Sequence, residues 1–166
     1  MKPRTEVLSF QELSLRLAAD QEAEHLLHLI MENATKALRA DRSTLFLVDH
    51  QRGELWSKVA QGLGIYEVRL PLTAGLAGYV ARTGETVNIA DAYADERFNP
   101  EVDAGTGYRT TSVLCMPLRS PRGPTVGVIE VLNRQEGRFT HDDEARLAGI
   151  CEQAAVLVEA LQVDLP

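Results

Sequence analysis

The sequence predicts an α/β (α+β) fold: a central antiparallel sheet of about six strands, with the terminal helices on one face and a small helix and a long polar loop on the other. Three observations carry this. Apolar residues recur at spacings of three and four near both ends of the 166-residue chain. Between the ends lie short apolar or alternating runs, separated by turns tight enough for hairpins. One long polar stretch, 91–110, interrupts them.

Taken in order, the chain opens with two expected helical segments. Ser9 followed by Glu12 is a capping-box pattern, with Leu13, Leu17 and Ala18 on one stripe behind it. Asp20 is expected to cap a second helix, in which Leu26, Leu27, Ile30, Ala34 and Leu38 share a face. Ser43 to Asp49 is short, apolar and bounded by turn residues, so it reads as a buried strand. His50 to Gly53 is a hairpin turn, and Glu54 to Ala60 should return antiparallel to the strand before it. Tyr66 to Leu70 alternates and stops at Pro71. Thr73 is expected to cap a short helix, Ala74 to Thr83, closed by Gly84. Its Gly75, Ala77 and Gly78 leave room for a very close neighbour. A short strand is expected near Val87 to Ile89, then the irregular stretch 91–110, whose length and polarity mark it as functional. Ser112 to Leu118 and Val126 to Leu132 are strong strands. Thr140 caps a last helix, with Asp142, Asp143 and Glu144 in its first turn and an apolar stripe of Leu147, Ile150, Cys151, Ala154, Leu157, Val158 and Leu161.

Composition narrows the function. Seventeen Lys plus Arg stand against 24 Asp plus Glu, a net charge of -7 that repels phosphate backbones, so nucleic acid is not an expected partner. No apolar run approaches the roughly 20 residues that cross a membrane, and Met1-Lys2-Pro3-Arg4 begins without a signal peptide's apolar core, so a cytoplasmic location is expected. Cys115 and Cys151 sit on an apolar strand and an apolar helix stripe, and read as buried thiols in a reducing compartment. The four histidines are scattered and no metal site is expected. No catalytic triad or Lys-bearing phosphate loop is present, and no enzyme activity is expected.

From Ala40 onward the chain resembles a GAF domain, of the subfamily found in cyclic-nucleotide phosphodiesterases, cyanobacterial adenylyl cyclases and bacterial sensor proteins. Four segments carry the resemblance: Gly75 to Glu85, Asn88 to Tyr93, Arg97 to Thr110, and Gly127 to Arg134 continuing through Phe139 to Glu144. The last is similar to the family's Asn-Lys…Phe-x-x-x-Asp-Glu motif, with Asn133, Phe139, Asp143 and Glu144 in place and Arg134 standing where the family has Lys. The resemblance implies that this cation pairs with Asp143 as a structural bridge. It also implies a division into a helical arm (1–40), a core with pocket and lid (41–140) and a terminal helix (141–166).

The resemblance further implies a ligand site. Ile89 and Ala90 would offer backbone contacts, Asn99, Asp103, Thr106 and Thr110 would line the lid, Glu130 would reach a ribose, and Thr44 would lie on the sheet floor. Where some phosphodiesterase relatives place Phe-Asp beside the base, this chain has Ala60-Gln61. Gln61 can hydrogen-bond an adenine edge, so cAMP would be favoured over cGMP. The acidic residues Asp91, Asp95, Asp103 and Glu130 oppose a phosphate unless Arg97 or Arg109 compensates. The other reading is that Asp91 and Asp103 cap turns and Thr106 satisfies loop backbone. Two functions therefore stay open: a regulatory sensor of a small molecule, with a cyclic nucleotide as candidate, or a ligand-free dimerisation module. In either, the family pattern implies a homodimer through terminal helices and an output domain (kinase, cyclase, phosphodiesterase or transcriptional) in cis or in trans. Closure of the 91–110 lid would shift the helix bundle. A bilin-binding or sulfoxide-reductase role would need exposed or adjacent thiols, against the expected burial of both.

Overall fold

Twenty-eight residues without a glycine or proline open the fold as one helix, α1 (Phe10–Ala37), in a computed structural model that describes residues 9–60 and 68–162. The expected break at Asp20 does not occur. Ala, Gln and Glu surround it, and these strong helix formers outweigh one residue's capping preference. Leu27, Met31, Ala34 and Leu38 form the buried stripe, while Leu26, expected on it, is 46% exposed. The side chains of Leu13, Leu17 and Ala18 lie outside the described residues.

Six strands follow: β1 (Ala40–Asp49), β2 (Glu54–Ala60), β3 (Val68–Pro71), β4 (Val87–Ile89), β5 (Val113–Arg119) and β6 (Thr125–Arg134). They form one sheet in the order β3-β2-β1-β6-β5-β4, every pair antiparallel. Helix α2 (Gly75–Thr83) lies between β3 and β4 in sequence. Its amino-terminal cap position is Ala74 with no side-chain hydrogen bond, so the expected cap from Thr73 is not made. Gly84 closes it in the left-handed conformation, φ 70°, as expected of a glycine there.

The 91–110 stretch is more ordered than its composition suggested. It holds a 3-10 turn (Ala92–Ala94) and a short helix α3 (Glu101–Thr106). Pro100 before α3 and Gly107 after it, at φ 75°, are start and stop signals that the polar composition obscured. Helix α4 (His141–Gln162) completes the chain. At its start the Asp143 N–H donates to Thr140 Oγ1 while the Thr140 N–H donates to Asp143 Oδ2, a reciprocal cap.

Strand alternation divides the interior in two. One core, on the α1 and α4 face, holds Leu45, Leu47, Trp56, Met116, Ile129, Val131 and Cys151 among others. The second lies on the opposite face under α2, around Phe46, Val48, Leu55, Leu76, Val80, Cys115 and Val128. Both cysteines are buried and free. The functional geometry belongs to the second face, where polar residues take core-facing positions.

Candidate functional site

On β1 the residues at 42, 44, 46 and 48 share a face, yet only Phe46 and Val48 belong to the apolar core. Arg42 and Thr44 turn polar groups toward the same side, and Glu130 on β6 pairs directly across from Thr44. Ser57 on β2 sits opposite Phe46. These residues floor a cavity of about 130 Å³, walled by Val68 and Leu70 of β3 and the first turn of α2, and roofed by Phe98, Asn99, Asp103, Thr106, Tyr108 and Thr110.

Six of the expected site residues therefore meet around one cavity: Thr44, Asn99, Asp103, Thr106, Thr110 and Glu130. Ile89 and Ala90 do not line it. Ile89 is paired with Val113 in β4 and packs against the second core, and Ala90 is exposed just beyond that strand. Gln61 lies outside the described residues.

The lid is knotted by Asp103. Its buried carboxylate accepts from the Thr110 N–H at 2.8 Å, the Thr110 hydroxyl at 2.9 Å and the Tyr93 hydroxyl at 2.8 Å. The same bond holds the Tyr93 phenol above its ordinary pKa. The turn-capping reading also has geometry behind it. Asp91 accepts from the Tyr93 N–H, Asn99 from the Glu101 N–H and Thr106 from the Tyr108 N–H. At the lid's far end Asn133, at φ 56°, accepts from the Thr111 N–H and hydroxyl and donates to Tyr108 Oη and Arg109 O.

Charge in the cavity is distributed otherwise than the sequence suggested. Arg97 is gripped by Asp95 in a two-point pair, its guanidinium also 4.5 Å from the Tyr79 ring centroid. Arg109 stacks on Tyr93 at 4.5 Å. Neither lines the cavity. The cation at its edge is Arg42, 3.8 Å from the Tyr108 ring centroid. Burial, with Asp41 nearby, raises the Tyr108 phenol to about 12. Glu130 has no hydrogen bond or ion pair among the described residues. Desolvation first, and the negative charge of Asp103 second, raise its carboxyl to about 7.

Sequence reasoning missed Ser57 and Arg42. The signal was available: Ser57 shares the core-facing parity of Leu55, and Arg42 that of Phe46, so each is a polar residue at an inward position. Behind the site, the Arg134 Nε donates to Asp143 Oδ2 at 2.9 Å with Asp143 buried, the bridge that the resemblance implied. Among the described residues no His/Cys/Asp/Glu group could hold a metal ion, and no helix is long and apolar enough to cross a membrane.

Comparison with known proteins gives a consistent answer. The chain is 41% identical over 127 residues to the probable 3',5'-cyclic phosphodiesterase pde-5 of Caenorhabditis elegans, covering 69% of this chain and 17% of that protein. It is 38% identical over 177 residues to the dual 3',5'-cyclic-AMP and -GMP phosphodiesterase 11 of Drosophila melanogaster, covering 93% of this chain and 12% of that protein. The chain thus spans a minor part of these relatives. Among solved structures, the GAF domain of an Acinetobacter phosphoenolpyruvate-protein phosphotransferase superposes with a TM-score of 0.74 at 24% identity, covering 94% of this chain and 98% of that one. The type II free methionine-R-sulfoxide reductase of Thermoplasma acidophilum shares the fold with a TM-score of 0.71 at 20% identity, covering 84% of this chain and 94% of that one. The family model described as the GAF domain matches residues 22–158, and the chain belongs to the GAF domain family.

Proposed function

We propose that this regulatory signalling domain binds a cyclic nucleotide in the cavity beneath its lid, with cAMP favoured over cGMP, and transmits occupancy through the terminal helices of a homodimer. One observation carries the reading: six residues of the expected site and the amino-terminal end of α2 face the same cavity. That helix end has no side-chain cap and no acidic residue in its first turn. Its free N–H groups and the positive end of its dipole suit a phosphate, and Gly75 there lets an anion approach the backbone. This offsets the carboxylates of Asp103 and Glu130, the first satisfied within the lid and the second only partly ionised at pH 7. The relatives named as cyclic phosphodiesterases support the ligand class. The preference for cAMP rests on Gln61 in place of a carboxylate.

The dimer has its own support. Leu26 and Leu29 on α1 are 46% and 45% exposed, and Val156 on α4 is 59% exposed, on helices that pack together over one sheet face. A second copy would cover them. The competing reading, a dimerisation module without a ligand, is favoured by the lid's internal satisfaction of Asp103 and Thr106. Calorimetric titration of folded, ligand-free protein with cAMP and with cGMP decides between them. Saturable heat, larger in affinity for cAMP, is expected. Absence of heat with both nucleotides overturns the nucleotide reading and leaves the dimer to be judged by sedimentation of the wild type against Leu29→Glu.

A further inference from the structure

Ser57 is out of place unless something meets it. It is fully buried, its neighbours in the second core are apolar, and its hydroxyl has no hydrogen-bond partner among the described residues. Buried polar groups are almost always paired, and a bare one is a cost to the folded chain. Alanine would fill the position without that cost. The residue also lines the cavity, where Phe46, Val68, Leu70 and Leu76 surround it with apolar surface. Arg42, Thr44, Glu130 and the lid carry the cavity's other polar groups. The apolar side of the cavity thus carries one hydroxyl without a partner among the described residues, while its other polar groups gather at Arg42, Thr44, Glu130 and the lid, a division that suits an unsaturated heterocycle with a hydrogen-bonding edge. A serine χ1 has three staggered wells, so the hydroxyl reorients toward an incoming acceptor at little cost.

We propose that Ser57 is a specificity contact of this cavity, its hydroxyl donating to a ring nitrogen of a bound purine whose faces lie against Phe46 and Leu76. This rests on the nucleotide reading and adds to it the residue that tells a heterocycle from its carbon isostere. A buried donor of this kind disfavours a ligand that lacks the matching acceptor, because the donor is then left desolvated and unpaired.

The test uses the wild-type chain and Ser57→Ala, titrated with cAMP and with its 1-deaza, 3-deaza and 7-deaza analogues, each exchanging one ring nitrogen for C–H. The wild type is expected to lose affinity for one of the three by about tenfold, the size of one hydrogen bond lost. Ser57→Ala is expected to bind cAMP about tenfold more weakly and to treat that analogue and cAMP alike. In the absence of nucleotide, Ser57→Ala should melt no lower than the wild type, since an unpartnered hydroxyl contributes nothing there. A lower melting temperature for the unliganded variant overturns the inference by showing that the hydroxyl is structural. Equal cAMP affinity in both proteins overturns it as well, while leaving nucleotide binding intact. A wild type that binds none of the four ligands instead overturns the nucleotide reading, and the inference with it.

Discussion

Glu130→Gln should make the protein more stable at pH 8 and leave it nearly unchanged at pH 5. The carboxyl faces a cavity roofed by Asp103, with Thr44 across one strand pair and Cys115 across the other, and none of these supplies a positive charge. Desolvation and the Asp103 charge raise its pKa from 4.5 to about 7. An acid whose folded pKa exceeds its unfolded one binds its proton more tightly when folded. The contribution of Glu130 to stability is therefore greatest below pH 4.5 and falls as pH rises from there through 7, because the unfolded chain ionises first. At about 1.4 kcal/mol per pKa unit, the loss between pH 5 and pH 8 is about 2.5 kcal/mol. Glutamine keeps the shape and removes the titration. Other carboxyls contribute their own slopes; Asp95, for instance, is held low by Arg97 and loses its contribution only as pH falls. The quantity to measure is therefore the variant-minus-wild-type unfolding free energy, from urea titrations at both pH values. It should rise by about 2 to 3 kcal/mol from pH 5 to pH 8. The same difference at both values would refute the reasoning.

Three further outcomes follow from the packing. A Cβ on Gly78 would stand 2.6 Å from the Leu72 carbonyl oxygen, a backbone atom, so Gly78→Ala should lower the denaturation free energy by about 1–3 kcal/mol. Arg134→Ala strands the buried Asp143 carboxylate and should cost about 3–5 kcal/mol by the same measurement, with Arg134→Lys recovering part of it. Asp103→Ala removes the acceptor of three lid hydrogen bonds; amide exchange across 91–111 should quicken while the central strands keep their protection, and unchanged lid exchange would contradict the proposed knot.

Legibility in the sequence followed the strength of periodicity. Strand positions were readable because alternation and turn residues coincide: Glu54 to Ala60 is the strand as expected, and Val87 to Ile89 likewise. What failed was whatever depended on a lone polar residue set against its neighbours. Asp20 sits in an uninterrupted run of helix formers, so its capping preference has no helix end to act on. Within 91–110 the reverse error occurred, because polar composition hid the Pro100 and Gly107 bracket around α3. For the site, Asp103 and Glu130 could be named in advance, but not what each does. The internal knot of Asp103 joins residues 7 and 10 positions apart, and Glu130, without a hydrogen bond among the described residues, faces Thr44 from a strand distant in sequence; spacing along the chain encodes neither. The arginines show this most plainly. Arg97 and Arg109 are spent on Asp95 and Tyr93, while Arg42 reaches the cavity by strand parity alone.

Strand β6 is where these pieces meet. Glu130 stands in the cavity, Val131 packs into the helix-side core, Asn133 holds the end of the lid, and Arg134 holds the start of α4 through Asp143. Asn133 takes the left-handed conformation at φ 56°, which an asparagine tolerates better than most side chains, and that turn of the backbone aims its amide at Tyr108, Arg109 and Thr111. The next residue, Arg134, carries its guanidinium to Asp143 instead. Lid and helix are thus moored to consecutive residues of one strand, which runs through the centre of the sheet between β1 and β5. No residue separates the lid's mooring from the helix's own. The family's motif is in this sense one joint with two arms. Arginine in place of lysine at 134 adds a second attachment, since its fork also donates to the Glu136 carbonyl in the segment before α4.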